Sequence, residues 1–174
     1  MKQVILCNDD GAPTGTSEVW DAHLGEGKLH LAFSACVFRN DRSEMLIQRR
    51  NHEKLFGGYW ANTCCSHPRP ESDLLNDAKR RMREELGFSC ELSVGPSFVY
   101  KSADPDGKGT EYEFDTILTG DIGNEDIQVV ADPAEVSEHK WVKVDELESD
   151  MKTNPEIYAP WFHIIMKKLS GVDN

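Results

Sequence analysis

The sequence predicts an α+β fold with a mixed central β-sheet and helices on both sides, and three observations support this. Leu29–Phe38 alternates between apolar and less apolar side chains, as a β-strand does. Residues 93–101 and 110–118 are predicted to be two further strands, because the turn sequence Asp104-Pro105-Asp106-Gly107 lies between them. Residues 73–86 carry apolar side chains at steps of three and four, which is typical of an amphipathic helix.

The first fifty residues are predicted to form strands separated by turns. Val4–Cys7 is a short apolar run that ends in a turn sequence, Asn8–Gly11. Residues 17–23 are predicted to form a short helix, which Gly25 ends. After the alternating strand, the turn at residues 40–43 returns the chain into a second strand, Met45–Gln48. These elements place His30 on the less apolar face of its strand.

The second half of the chain adds the main helix and the C-terminal elements. The helix over residues 73–86 ends at Gly87, and its residues Arg81 and Glu85 lie four apart on one edge. Its apolar stripe consists of Leu75, Ala78, Met82 and Leu86. The remaining predicted elements are a strand over 139–142, a short helix near 145–149, and a terminal helix over 154–169 that is broken at Pro160.

Composition favours one folded domain over residues 1–174, in a cytoplasmic protein. Hydrophobic residues make up 39% of the 174 residues, enough for a sizeable core. The formal net charge of −12 counts against nucleic acid or an anionic membrane as a partner. The longest apolar run, Leu31–Phe38, is too short to span a bilayer, and the N-terminus lacks the features of a signal peptide. The five cysteines are an odd number, which favours reduced thiols. No feature of the sequence indicates an oligomeric state.

The segment Asn62–Pro68 concentrates reactive side chains. It contains two adjacent thiols, Cys64 and Cys65, and the imidazole of His67. A cysteine can give or take a proton, and a neutral imidazole is a good metal ligand. The residues themselves are equally consistent with two packed cysteines and a histidine in a surface turn.

Three histidines and two glutamates form a candidate metal site. Glu111 and Glu113 are two residues apart on a predicted strand and therefore project from the same face. With the imidazoles of His23, His30 and His67 they would suit Mn, Mg, Zn or Fe, among which the ligand types do not choose. Surface histidines and a solvated acidic face remain the alternative.

Two basic clusters stand out in so acidic a chain. Arg49, Arg50 and Lys54 form the first, and Arg80, Arg81 and Arg83 form the second. Either could bind a polyanionic small molecule or could simply be solvated and paired with carboxylates. The helix edge that carries Glu85 could hold a second, harder ion on a phosphate.

The chain resembles the type 1 isopentenyl-diphosphate isomerases of the Nudix-fold superfamily over about residues 4–168. The motif Asn-x-x-Cys-x-His-Pro, followed downstream by Glu-x-Glu, is the most specific part of this resemblance. The matching segments are His23, His30–Ser34, Arg49-Arg50, Trp60–Pro68, Arg80–Gly87, Tyr100, Glu111–Glu113 and Pro160-Trp161.

The resemblance implies a Nudix-like fold and a reaction that moves one double bond in a five-carbon diphosphate. An acid protonates the alkene to a tertiary carbocation, and a base removes a proton from the neighbouring carbon. The implied catalytic residues are Cys65, Glu113, Tyr100 and Trp161, and Cys64 is left as a packing residue. The first twenty residues are expected to add a strand and a lid that brings His23 to the metal.

The resemblance also implies the ligands of the metal ions and of the diphosphate. One tightly bound divalent ion (Mn, Mg or Zn) would be held by His23, His30, His67, Glu111 and Glu113. Glu85 would hold Mg with the substrate diphosphate, which would contact Arg50, Lys54 and Arg81. Two positions depart from the family pattern, since Val19 replaces an expected lysine and Gly57 replaces an expected proline.

Two other classes of protein are alternatives to an isomerase. A Nudix pyrophosphohydrolase would need several carboxylates for its Mg cluster, but Ser66, Ser72 and Arg81 stand at three positions of its box. The box residues that remain are Arg80, Glu84, Glu85 and Gly87. A non-catalytic metal- or nucleotide-binding module would not need a thiol and a metal-bound glutamate in one pocket. A flavin-dependent isomerase is not indicated, because no Gly-rich dinucleotide loop is present.

Overall fold

The computed structural model describes residues 2–171. Within that range the helical elements are α1 (Val19–His23), α2 (Leu74–Leu86), α3 (Val144–Thr153), a 3-10 turn (Pro155–Ile157) and α4 (Pro160–Leu169). The strands within the same range are β1 (Gln3–Cys7), β2 (Pro13–Glu18), β3 (His30–Arg39), β4 (Glu44–Arg50), β5 (Trp60–Ala61), β6 (Cys64–Ser66), β7 (Ser93–Ala103), β8 (Thr110–Asp121) and β9 (Val136–Lys143).

Strand β3 is the centre of the sheet. One of its edges pairs in parallel with β8, from His30 opposite Glu113 to Phe38 opposite Asp121. The other edge pairs antiparallel with β1, β6 and β4 in turn. Outer pairs are β2 on β1, β7 on β8, and β5 and β9 on β4. The sheet is therefore mixed, as predicted.

Both faces of the sheet are covered, so β3 is buried on its two sides. Phe33, Ala35 and Val37 pack in one core cluster, which also holds the apolar stripe of α2. Cys36 and Phe38 pack in the other cluster, with α3 and α4. The predicted α+β architecture with helices on both sides is confirmed.

Helix α2 has the predicted ends. The Asp73 side chain accepts a hydrogen bond from Asn76 N at 2.9 Å and so satisfies one free N–H of the first turn. Gly87 ends the helix with φ 75°, a conformation that costs glycine little. The two Cys residues of β6, which precedes this helix, are unpaired, as are the other three cysteines.

Several predicted elements differ in extent. Strand β2 was not predicted, because its residues Pro13–Glu18 are mostly exposed and show no apolar alternation. Helix α1 starts only at Val19. The predicted break at Pro160 is confirmed, since α4 begins at that proline, where a missing N–H costs nothing, but the segment before it forms only the 3-10 turn Pro155–Ile157. Among residues 2–171, no helix is long and apolar enough to cross a membrane.

A buried carboxylate fixes the segment that leads into α2. Asp77 is fully buried and accepts hydrogen bonds from the backbone N–H and the guanidinium of Arg69, from Arg80, and from the hydroxyl of Ser72. Burial alone would raise the pKa of Asp77, but these hydrogen bonds hold it below its ordinary value. The carboxylate thus ties residues 69–72 to the first turns of the helix.

We expect Asp77→Ala to lower the free energy of unfolding by about 3 kcal/mol at pH 7, because it removes several hydrogen bonds to a buried charge. Since the pKa of Asp77 is lower in the folded than in the unfolded chain, this stabilisation is complete above about pH 4 and is lost as the pH falls through the folded value. Urea unfolding at pH 7 and pH 3 measures both effects. The exposed Asp126→Asn variant is the control, and an equal change in the two variants would contradict the prediction.

Candidate active site

The candidate site is a cavity of about 950 Å³ at one end of β3 and β8. Its walls come from α1, β4, β6, β7, β8, α2 and α4. The predicted residues that line it are His23, Arg50, Lys54, Cys65, His67, Arg81, Tyr100, Glu111, Glu113 and Trp161. Residues from distant parts of the sequence therefore meet at one place, as predicted.

The five candidate metal ligands converge. His23, His30, His67, Glu111 and Glu113 each offer one ligand atom, and these atoms all lie within 4.8 Å of one another. The parallel register of β3 and β8 places His30 directly opposite Glu113. Helix α1 brings His23 to the same point, and His67 follows directly after β6. The alternative of unrelated surface histidines and a solvated acidic face is wrong, since four of the five residues are buried.

Backbone carbonyls orient two of the imidazoles. His23 Nδ1 donates to Val19 O at 2.6 Å, and His30 Nδ1 donates to Lys28 O at 2.7 Å. A carbonyl oxygen can only accept, so the hydrogen of each neutral ring lies on Nδ1 and the lone pair lies on Nε2. This is the arrangement that metal-ligating histidines usually have. Among the described residues, His30 Nε2 is buried without a hydrogen-bond partner, which fits a nitrogen that faces a metal ion.

The carboxylates and imidazoles of this group shift one another's pKa. Burial lowers the pKa of His23, but the hydrogen bond with Glu111 at 3.0 Å and its negative charge outweigh burial and raise it to about 9. Burial raises the pKa of Glu113, but the imidazoles of His30 and His67 hold it well below its ordinary value. Glu113 is therefore ionised in the fold, with His67 Nε2 at 3.0 Å from Oε1. Anionic carboxylates beside imidazole nitrogens are a donor set that suits a divalent ion, and an ion bound there would take the place of the proton on His23.

Glu113 also contacts an aromatic pair on the cavity wall. The Tyr100 hydroxyl donates to Glu113 Oε2 at 2.5 Å. Burial and the charge of Glu113 raise the pKa of Tyr100 well above its ordinary value, so the phenol keeps its proton. The Tyr100 and Trp161 ring centroids are 5.9 Å apart. Trp161 is almost fully buried, and its ring lies 5.1 Å from the Arg50 guanidinium carbon.

The two adjacent cysteines have different surroundings. Cys64 is fully buried among the apolar residues that pack on α2. Cys65 points to the other face, where it lines the cavity beside Trp161. Its Sγ donates to Asn62 Oδ1 at 3.0 Å and lies 3.5 Å from Ser34 Oγ. Burial raises the pKa of the Cys65 thiol to about 12, so it is protonated at neutral pH.

The predicted phosphate-binding cations lie together, each with a carboxylate. Arg50 donates to Leu55 O at 2.8 Å and lies 4.0 Å from Glu111. Lys54 is 2.5 Å from Glu135. Arg81 contacts Glu135 at 3.0 Å and Glu85 at 2.5 Å. These cations are thus paired rather than freely solvated.

Glu85 lies outside the group of five ligands. It is fully buried beside Arg81 and accepts a hydrogen bond from Gln48 at 3.3 Å. The Lys54 ammonium is 4.0 Å from its carboxylate. Glu85 is therefore placed among the cations at the other end of the site, as expected for a residue separate from the imidazole group.

Four further residues of this region were not among the predicted site residues. Ser34 and Asp115 could have been found from strand alternation, because they share a face with His30 and with Glu113. Asn62 belongs to the Asn62–Pro68 segment, but the sequence predicted no role for its side chain. Glu135 lies in a loop, and no local pattern marks it.

Comparison with known proteins supports the same reading of the fold. A model of the NUDIX domain family matches residues 28–162. A crystal structure from Deinococcus radiodurans superposes with a TM-score of 0.69 at 14% identity and covers 96% of this chain and 98% of that one. A MutT protein from Methanosarcina mazei gives a TM-score of 0.66 at 15% identity, over 82% and 94% of the two chains. At such identities these likenesses show the fold alone.

Curated relatives are similar over nearly the whole chain. An isopentenyl-diphosphate Delta-isomerase of Halorhodospira halophila is 37% identical over 174 residues, which covers 99% of this chain and 98% of that protein. Isopentenyl-diphosphate Delta-isomerase 2 of Aromatoleum aromaticum is 41% identical over 160 residues, 91% of this chain and 82% of that protein.

Fold and site together define a Nudix-domain enzyme with a histidine–glutamate group suited to a divalent metal. Within that class, the chain belongs to the isopentenyl-diphosphate Delta-isomerase family.

Proposed function

We propose that this protein interconverts isopentenyl diphosphate and dimethylallyl diphosphate by protonation and deprotonation through a tertiary carbocation. The observation that carries the proposal is the position of Glu113, which belongs to the imidazole group, accepts from Tyr100, and shares one cavity with the Cys65 thiol. The chain is further proposed to form one domain over residues 1–174.

The reaction needs a proton donor and a proton acceptor at carbon. An unactivated alkene is a poor base, so the donor must be held within hydrogen-bond reach of it in a site that excludes water. Cys65 and Glu113 are proposed to fill these two roles from opposite sides of the hydrocarbon. The protonated thiol of Cys65 and the protonated phenol of Tyr100, which is bonded to Glu113, give each side a transferable hydrogen.

Trp161 is proposed to stabilise the cationic intermediate. Its ring is almost completely buried and lies beside both Tyr100 and Cys65. A desolvated cation over an indole face is stabilised by about 2 kcal/mol. The hydrocarbon part of the substrate is uncharged and gains a positive charge only as the carbocation forms. The indole would therefore stabilise the carbocation more than the bound substrate, and this difference accelerates the reaction.

The group of five ligands is proposed to hold one divalent ion. The oriented lone pairs of His23 and His30 and the ionised Glu113 fit such an ion. When bound, the ion supplies positive charge that balances Glu111 and Glu113 and fixes their positions. Mn, Mg and Zn are all compatible with this mixed donor set.

The diphosphate is proposed to bind at the end of the cavity that carries Arg50, Lys54 and Arg81. Guanidinium groups bind phosphate oxygens in pairs of hydrogen bonds. Glu85, buried beside Arg81, is proposed to contribute to Mg bound with the diphosphate. Val19, where the family tends to have a lysine, leaves the phosphate end dependent on these residues.

A pyrophosphohydrolase is the second candidate, and the geometry at Arg81 counts against it. The Arg81 guanidinium is bonded to both Glu84 and Glu85, two of the carboxylates that a hydrolase would need for its Mg cluster. An arginine there suits binding of phosphate better than activation of water. A non-catalytic binding module does not account for a thiol, Cys65, and a glutamate of the proposed metal site, Glu113, that line one cavity.

We expect the purified protein with Mg to convert isopentenyl diphosphate to dimethylallyl diphosphate without release of phosphate. Cys65→Ser and Glu113→Gln should each reduce turnover at least ~1000-fold, because each removes one of the two proton-transfer groups. Product analysis by mass spectrometry and a phosphate assay measure the outcome.

Cys64→Ala is the matched control, since Cys64 is in the core and its thiol does not line the cavity. It should keep most activity at a somewhat lower melting temperature. Wild-type rates in Cys65→Ser or Glu113→Gln would refute the assigned role, and phosphate release by the wild type would favour the hydrolase.

We expect His67→Ala to weaken the tight binding of one divalent ion per chain by ~100-fold or more, because it removes a ligand from the group. Elemental analysis after dialysis and titration calorimetry of the apoprotein with Mn and Zn measure this. His163→Ala, on α4 and outside the cavity lining, should leave the binding unchanged. Equal affinities in the two variants would place the metal elsewhere.

A further inference from the structure

We propose that Asn62 is a positioning residue that holds the Cys65 thiol and the Trp161 indole in one fixed arrangement on the cavity wall. The inference deepens the proposed function and rests on it. Asn62 does not itself line the cavity and makes no hydrogen bond to the proposed metal ligands, so its effect on the reaction would pass through Cys65 and Trp161, which do line it.

The orientation of the Asn62 amide is determined by two backbone carbonyls. Its Nδ2 donates to Ala35 O at 3.0 Å and to Cys64 O at 3.2 Å. Carbonyl oxygens only accept, so the amide nitrogen must face β3 and β6 and the amide oxygen must face away from them. Asn62 is fully buried, and a turned amide would place its oxygen against two carbonyl oxygens, neither of which can donate.

The amide oxygen accepts from two proposed catalytic groups at once. Cys65 Sγ donates to Asn62 Oδ1 at 3.0 Å, and Trp161 Nε1 donates to the same atom at 3.2 Å. The two donors and two lone pairs of the amide are thereby all used. Thiol and indole come from β6 and α4, 96 residues apart in number, and this single atom joins them.

Ser34 completes the surroundings of the thiol. Its hydroxyl donates to Asp115 Oδ2 at 2.7 Å, so its only hydrogen is used and its oxygen is an acceptor for Cys65 at 3.5 Å. The nearer acceptor of the thiol hydrogen is Asn62. Ser34 is the weaker, second contact of the thiol, so removal of its hydroxyl should lower kcat less than removal of the Asn62 amide.

Loss of the amide should affect turnover more than substrate affinity. A displacement of about 1 Å at a reacting group can cost ~100-fold in rate. The phosphate-binding cations make no hydrogen bond to Asn62, so the diphosphate would still bind. We therefore expect Asn62→Ala to lower kcat ~100-fold and to change KM by less than ~3-fold, with Ser34→Ala between this variant and the wild type.

Thr63→Val is the matched control. Thr63 is the next residue, is equally buried, and its hydroxyl bonds only to the backbone, donating to Leu46 O at 2.6 Å and accepting from Val37 N at 2.9 Å. It should lower the melting temperature and leave kcat within ~2-fold. If Asn62→Ala, folded by circular dichroism, matched Thr63→Val in kcat, the proposal would be overturned.

The NMR signal of the Trp161 indole N–H is a measurement that a purely structural role of Asn62 would leave unchanged. In ¹⁵N-labelled protein, Trp161→Phe identifies the Trp161 signal. We expect this N–H to exchange with solvent far more slowly than that of the exposed Trp20, and to shift in Asn62→Ala but not in Thr63→Val. Rapid exchange in the wild type would refute the proposal even if the Asn62 variant failed to fold.

The two measurements separate this inference from the function on which it rests. A wild-type protein without isomerase activity would refute the proposed function, while the indole signal would still decide whether Asn62 holds Trp161. An active wild type in which Asn62→Ala has normal kcat and an unshifted indole signal would refute only the role of Asn62.

Discussion

The parallel register between β3 and β8 is the constraint on which the site depends. It places His30 opposite Glu113 and brings Glu111 to the same face of the sheet. Side chains alternate along a strand, so a slip of one residue would turn these groups into the opposite core. Parallel pairing requires a long crossover, and here the crossover carries β4–β7 and α2, which supply His67, Cys65 and Tyr100. One pairing thus brings the candidate metal ligands and the Cys65 thiol together.

Because side chains alternate along β6, its two adjacent cysteines face opposite sides of the sheet. Cys64 packs against the α2 side of the sheet, and Cys65 faces the cavity. The same rule divides β3, where Phe33, Ala35 and Val37 face α2 and His30 faces the other candidate metal ligands. Because both faces of the central strand are buried, a polar side chain there needs a partner. Asn62, which is buried beside this strand between β5 and β6, meets the same need with hydrogen bonds to two carbonyls, a thiol and an indole.

The two ends of the cavity carry different charged groups. Carboxylates and imidazoles occupy one end, and Arg81, Lys54 and Glu85 occupy the other. Trp161 and Tyr100 lie between the Arg50 guanidinium and the Glu113 carboxylate. An amphiphilic molecule with a small hydrocarbon and a polyanionic group fits this order, because each of its parts meets surroundings of matching polarity. Lys54 and Arg81 lie close together at this end although the chain as a whole has a net charge of −12.

Local sequence patterns were enough to predict the central strand, the main helix and the shared face of two site carboxylates. Alternation identified β3, helical spacing and Gly87 identified α2, and a two-residue step put Glu111 and Glu113 on one face. Resemblance to a known family over about residues 4–168, most specific at Asn62–Pro68 and at Glu111–Glu113, supplied the proposed site residues. Strand β2 and the position of Glu135 were not predicted, because their exposed or irregular segments carry no periodic pattern. Tertiary structure alone decided which side chains meet, such as Trp161 with Asn62, because spacing along a chain fixes a face but not what packs against it.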